Sequence, residues 1–401
     1  VIAEISGSTV DSGSTLNLAA TNDANILGVS VGVAASGAGA GLLSLTGNVI
    51  TNTTRAAISG EGVTRSDIDA GGAVTLSAED NSEINTIAVG VSASGTGAVG
   101  AALAANVITN NVETEISDTD LQTGSSLTLD SENASIIRTM AVGVSGSGGV
   151  AVQLTAMGNV VANDTKALIS GSTILVDGDV SLLASDKAPD GTGITTLIED
   201  YILDDDTKHD LTASLSGTPI DPNANILSLN VSVAGSGAVA VNGAFTGNVI
   251  ANSVETAIDS STVTSTNGNV DLDADSDAGI LALTVGVAGS GAVSVDATGF
   301  GNDISNNVSS TISGGSTVSA GDFVDLTADD ISQIRSAAVS VAATGGIAAG
   351  ALIGANVITN SVVTEISGST VGSGSTLNLA ATNDANILGL TVGVAGSGAG
   401  A

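Results

Sequence analysis

One short phrase recurs through this chain and constrains its fold more than any other feature. It consists of two asparagines four residues apart, followed by an isoleucine six residues after the second. It reads Asn356-Val357-Ile358-Thr359-Asn360 with Ile366. It returns at Asn48/Asn52/Ile58, Asn106/Asn110/Ile116, Asn159/Asn163/Ile169, Asn248/Asn252/Ile258 and Asn302/Asn306/Ile312. The chain enters mid-phrase at Ile5, which gives six full copies and one truncated copy. Units therefore start near 48, 106, 159, 248, 302 and 356, at spacings of 58, 53, 89, 54 and 54 residues. A long fixed period marks a stack of similar units, each unable to bury its apolar face alone. Residues 1–401 are thus expected to form one continuous repeat segment.

A second period lies over the first. Residues 1–40 match 362–401 with 34 identities in 40, so one super-repeat of six units closes and the next begins. This reads as a crop from a longer tandem array, or as one segment of a fibre. Each unit holds four strand-like runs. The Asn phrase is apolar with two Asn on one face and polar on the other, as in Asn106, Ile108, Asn110, Val112 against Val107, Thr109, Asn111, Glu113. That alternation is the pattern of a half-buried strand. The second run, such as Val74-x-Leu76-x-Ala78, leads into what reads as an acidic corner. The third, such as Leu229-x-Val231-x-Val233, and the fourth, such as Val239-x-Val241, alternate Val with small residues around Gly-Ser-Gly. Both are expected to be buried on two sides.

The fold class expected is all-β: a parallel β-solenoid (β-helix) of about seven ~54-residue repeats, with one wide coil per repeat. Runs three and four would fold inside the coil to fill it. Buried Asn is costly unless its amide is satisfied, and in-register stacking at ~4.8 Å lets each Asn donate to the next. Two such ladders are expected, Asn48/Asn106/Asn159/Asn248/Asn302/Asn356 and Asn52/Asn110/Asn163/Asn252/Asn306/Asn360. Thirds of a unit are dissimilar. The alternative, two or three narrow turns per unit, would give a taller and thinner rod.

Composition argues mostly by exclusion. Net charge is −34, which disfavours nucleic acid and anionic lipid. Cys and Trp are absent, and the seven basic residues, Arg55, Arg65, Arg138, Lys166, Lys187, Lys208 and Arg335, are scattered along the chain. His209 is the only histidine, which removes most His-based catalysis and multi-His metal sites; no enzyme and no cofactor are expected. Apolar stretches at 87–105 and 337–358 approach membrane-span length but keep strand period, so no membrane insertion of this segment is expected.

Ca²⁺ is the one ligand weighed for the acidic corners, with Asp80, Asp275, Asp277, Asp329 and Asp330 as weak candidates. Stacked, these corners would form columns of like charge that a cation would relieve. No calcium-binding nonapeptide or EF-hand loop is present, so screened, solvated carboxylates are the preferred reading. One unit carries an insertion at about 187–222, with all three prolines, the only Tyr and the only His. Tyr201, Asp204, Asp205, Asp206 and His209 are its candidate interface residues. The insertion is either a binding face or a passive excursion.

The stretch GSTVSAGDFVDLTAD at 315–329, with the VGVAGSGAVAV and GNVI-x-N runs, resembles repeats of large bacterial surface and secreted adhesins of the filamentous-haemagglutinin-like β-helical group. The resemblance implies an extracellular or cell-surface location and a stalk, filament or matrix-fibre role, as in biofilms. The repeat phase shared by residues 1–40 and 362–401 makes identical segments the expected partners, head-to-tail or lateral, with cell-surface glycans or other cells as a further partner class. The alternative function is a ligand-binding adhesin module for glycan, ice or Ca²⁺, using the acidic columns or the insertion.

Overall fold

A computed structural model of the chain describes residues 1–189 and 224–398. The chain winds as a parallel β-solenoid with one coil per repeat. In a representative coil a 21-residue strand, Gly97–Ser117, is followed by a short strand, Thr119–Thr123, and a second 21-residue strand, Leu127–Ser147. The next coil then begins at Val150. Like strands stack in parallel register, so three sheets run the length of the rod. The asparagine sheet pairs Asn106 with Asn159 and Ile116 with Ile169. A narrow corner sheet pairs Leu121 with Ile174. The valine sheet pairs Val89 with Val142. Register partners lie one full repeat apart at every step, which excludes two or three narrow turns per repeat. No helix among the described residues is long and apolar enough to cross a membrane.

Along the first coils the four runs of a repeat merge into two long strands. Runs two and three are one strand, Val74–Ser94, and run four with the Asn phrase is another, Gly97–Ser117. The coil therefore closes by flattening, with the two long sheets facing each other, rather than by folding runs three and four inside. The sharp turn between the asparagine and corner sheets needs a left-handed residue. Gly7, Asp118, Gly171, Ser260, Gly314 and Gly368 supply it, each with positive φ.

Because strand parity is kept across some twenty residues, the interior is striped. Beside the corner sheet lies a large aliphatic core that includes Ile58, Leu76, Ile116, Leu129, Ile169 and Leu182, all essentially buried. A polar stripe follows, holding the second Asn of each phrase. A row of isoleucines is next, with Ile84, Ile137, Ile226, Ile280 and Ile334 facing Ile50, Ile108, Ile250 and Ile304. The first Asn of each phrase forms another polar stripe. Beyond it the interior is mostly Ala, Gly, Ser and Thr, such as Ala88, Ser92, Ala98, Ala102 and Ala151, with a few larger residues such as Met157, Phe300 and Gln153. There the sheets come so close that Ser30 and Ser44 hydroxyls meet at 2.6 Å, and Ser145 Oγ reaches the Val152 carbonyl at 2.8 Å.

This thin lobe corrects the expectation that runs three and four are buried on both faces. Their small residues point inward and their valines point out. Val31 and Val33, on the first rung, are 65% and 72% exposed. Inner rungs such as Val89, Val142 and Val285 are half-covered by their own rung neighbours. Gly143 and Gly286 face inward opposite Gln153 and Asp296/Thr298, where an added Cβ would collide. Small residues in one sheet thus make room for larger ones in the other.

Candidate functional site

The first Asn column is a continuous amide ladder through six rungs. Asn48 donates to Asn106 Oδ1 at 2.8 Å, Asn106 to Asn159 at 2.9 Å, and Asn159 to Asn248 at 2.9 Å. Asn248 then donates to Asn302, and Asn302 to Asn356, each at 2.8 Å. Hydroxyls from the valine sheet braid into it. Asn106 also donates to Thr139 Oγ1, which donates on to Asn159 Oδ1, both at 2.7 Å. Ser228 repeats the arrangement one rung further. Asn106 and Asn159 thereby use both N–H groups and both lone pairs. The ladder fixes register between rungs and ties the two sheets together.

The second Asn column departs from the expected amide ladder. Its side-chain oxygens accept from backbone rather than from amide: Asn110 N–H donates to Asn163 Oδ1 at 3.1 Å, Asn163 to Asn252 at 3.1 Å, and Asn306 to Asn360 at 3.0 Å. The physical reason is a local break in the sheet. From Asn163 onward the strand is interrupted at this residue, as between Val161 and Asp164, and Asn Oδ1 replaces the lost carbonyl acceptor. The amide nitrogens turn instead to the valine sheet. Asn110 Nδ2 donates to Asp80 Oδ1 at 2.8 Å, Asn252 to Asp186 at 3.0 Å, and Asn306 to Asp330 at 2.9 Å. Asn52 donates to Ser82 at 3.1 Å, and Asn360 to Asp330 at 2.5 Å. Asn110 Oδ1 and Asn163 Nδ2 are buried without a partner, whereas no atom of the first column is.

Asp80 and Asp330, which face this column, were expected at a solvated corner. Both are instead fully buried, mid-strand, on the inner face, as is Asp186 near the end of its strand. Parity decides this. Each sits an even number of residues after the inward-facing Val74, Val180 or Val324. The rungs between them are neutral, so the column reads Asn22, Asp80, Asn133, Asp186, Ser276, Asp330, Asn383. Buried carboxylates thus lie two rungs apart. At an effective dielectric of ~20, doubling the separation from ~4.8 to ~9.6 Å halves a repulsion of roughly 3.5 kcal/mol. Burial pushes the Asp186 carboxyl up to about 6, against the hydrogen bond that Asn133 Nδ2 donates to it at 2.7 Å. Burial likewise raises Asp330.

Asp275, Asp277 and Asp329 point outward, so the five Ca²⁺ candidates lie on opposite faces of a sheet and do not converge. Among the described residues no group of three acidic side chains is placed to hold a cation. The outward acids also form short pairs rather than unbroken columns. Asp271 stacks on Asp325, and Asp275 on Asp329. Partial burial, then Asp325, Asp179 and Asp273, push Asp271 up to about 6. Two of the scattered basic residues share a column once the chain is coiled. Arg55, Glu113, Lys166 and Glu255 occupy one outward column with alternating sign. Arg138 bonds Glu83, Arg65 meets Asp120 at 2.9 Å, and Lys187 meets Asp275 at 2.7 Å. Tyr201, Asp204, Asp205, Asp206 and His209 lie outside the described residues.

Sequence reasoning missed Asp186 and a second buried acid, Asp296. The latter accepts from Asn242 at 2.6 Å, from Thr298 at 2.8 Å and from Ser340 in the thin lobe. Counting strand parity forward from Val180 and back from the buried Ile304 finds both. Compared with known proteins, the chain matches no family model, no curated sequence and no solved structure.

Proposed function

We propose that this chain is a structural segment of an extracellular or cell-surface repeat protein, a stalk or filament lengthened by end-to-end β-stacking. The observation that carries this reading is the phase of the two outermost rungs. Residues 16–36 form the first rung of the valine sheet and 377–397 the last, and they carry nearly the same sequence. In the stacked rungs Val324 N–H donates to the Thr376 carbonyl one coil on, at 2.9 Å. Leu377 holds the equivalent position, so its N–H and those of alternate residues after it aim along the rod axis. A following coil meets the same in-register surface whether it comes from one chain or from another copy. Every described basic residue but Arg335 is paired with an acid, and the interior is filled by packed side chains, as suits a mechanical part.

Negative-stain microscopy tests the proposal. Purified chain should form unbranched rods many times longer than the ~30 Å of seven rungs. Ala381→Pro removes an axial donor at the last rung and should stop growth; undiminished elongation would count against end-to-end stacking. Chelation with EDTA should leave the rods intact, and a large fall in melting temperature would favour the Ca²⁺-binding alternative.

A further inference from the structure

We infer that the outer face of the valine sheet, over the thin lobe, is a lateral docking surface for a second copy of this chain. This goes beyond end-to-end growth, since it concerns how rods lie side by side. Valine occupies every rung of one outward column, in unbroken register from Val31 to Val392, and every rung of the next, from Val33 to Val394. The adjoining column carries Val29, Ile87, Met140, Leu229, Leu283, Ala337 and Leu390. No charged residue interrupts these three columns.

Three observations name the occupant. The first is periodicity. The face is a flat lattice of β-branched side chains repeating every ~4.8 Å along the rod, and only a partner with that repeat can interdigitate with it throughout; this chain has it. The second is area. Three columns ~6.6 Å apart over seven rungs span roughly 650 Å², so a face-to-face pair buries about 1,300 Å², within the roughly 1,200–2,000 Å² of specific interfaces. Apolar patches of this size on a single molecule mark interaction sites. The third is charge. A chain of net charge −34 should repel its own copy, yet the outward acids stand clear of this face. The nearest, Glu83, precedes Ile87 by four residues of extended strand, about 13 Å, more than the ~8 Å Debye length at physiological salt, and it is bonded to Arg138. Two rods can join thin lobe to thin lobe with their acidic margins apart and screened. The interior behind the valines, built of small residues with polar ones such as Gln153, Asn242 and Asp296, buries little apolar surface of its own, so the lobe gains most from being covered outside.

The test compares the wild-type chain with Val89→Lys/Val231→Lys/Val339→Lys, placed on alternate rungs, and with the Thr triple variant at the same positions. Circular dichroism monitors folding of each. Rod width and mass per length, from microscopy and sedimentation, read lateral pairing; rod length reads end-to-end stacking separately. The expected result is paired rods for wild type and single rods for the Lys variant, with lateral association reduced at least tenfold and length kept. If the Lys variant fails to fold, the Thr variant carries the test through a smaller loss of pairing. Single-width wild-type rods would overturn the inference, as would variants that pair as wild type does. Wild-type rods that stay single while binding phosphatidylcholine vesicles would assign the face to lipid instead and overturn it equally.

Discussion

The two ends of the flattened coil solve the same stacking problem with opposite chemistry. Beside the corner sheet, large aliphatic side chains point in and acids point out. In the thin lobe, small and polar residues point in and valines point out. The same strand crosses both regions, as Leu129 and Val142 do within Leu127–Ser147. Backbone hydrogen bonding is continuous across it, so strand formation does not require an apolar interior at every position. What the first region obtains from its core, the second obtains from close sheet approach, side-chain hydrogen bonds and, by our inference, a partner.

The contrast is sharpest in substitution. Leu129→Ala, in the aliphatic core, should cost roughly 2–5 kcal/mol in denaturant titrations. A loss comparable to that of a surface change would erase the distinction between the lobes. Next in size is the buried acid between them. Asp186 has a folded value of about 6 against an ordinary value of 3.8, so the folded state binds its proton more tightly than the unfolded state does. Stability should therefore rise as pH falls from 7 through 6 and level off near 4, by on the order of 3 kcal/mol. Asp271 acts in the same direction. Asp186→Asn should remove much of the slope, and an unchanged pH profile would place the linked proton elsewhere.

Asn159→Leu should cost about 1–3 kcal/mol, because it strands Asn106 Nδ2, Thr139 and Asn248 Oδ1 in the interior. Gly286→Val should cost about 1–3 kcal/mol by crowding Thr298 and the Asp296 network; a neutral result would mean the thin lobe has slack. Smallest is Val142→Thr on the outer face, expected to change the stability of a single rod by under about 0.5 kcal/mol. A larger effect, seen in dilute unpaired rods, would mean that these valines stabilise the rod from outside without a partner.

Much of this was legible in the residues. The Asn spacing gave the coil length, and the first amide column follows from burying one amide per rung. The thin lobe was misread because Val-x-Val-x-Val with small residues between has the same period whichever set faces inward. Local alternation cannot choose between the two. The choice is made some ten residues away, where Leu76 and Ile84 commit the strand's parity to the core. The same parity argument, carried forward from Val74 rather than stopped at the acidic residues, places Asp80 inside. The second Asn column could not be separated from the first by pattern alone, since its role depends on a break in backbone pairing that no residue type announces.

The alternation of Asp80, Asp186 and Asp330 with neutral residues has a consequence for how such an array can change length. Tandem repeats are gained and lost by unequal exchange between copies. Loss of the one coil that carries Asn133 would seat Asp80 directly against Asp186, two buried carboxylates on adjacent rungs. Loss of two consecutive coils would leave the alternation intact. A coil with a neutral residue between two of these acids can therefore be lost only together with an acid-bearing neighbour, and a super-repeat of six, an even number, can be copied end on end without ever bringing two buried acids together.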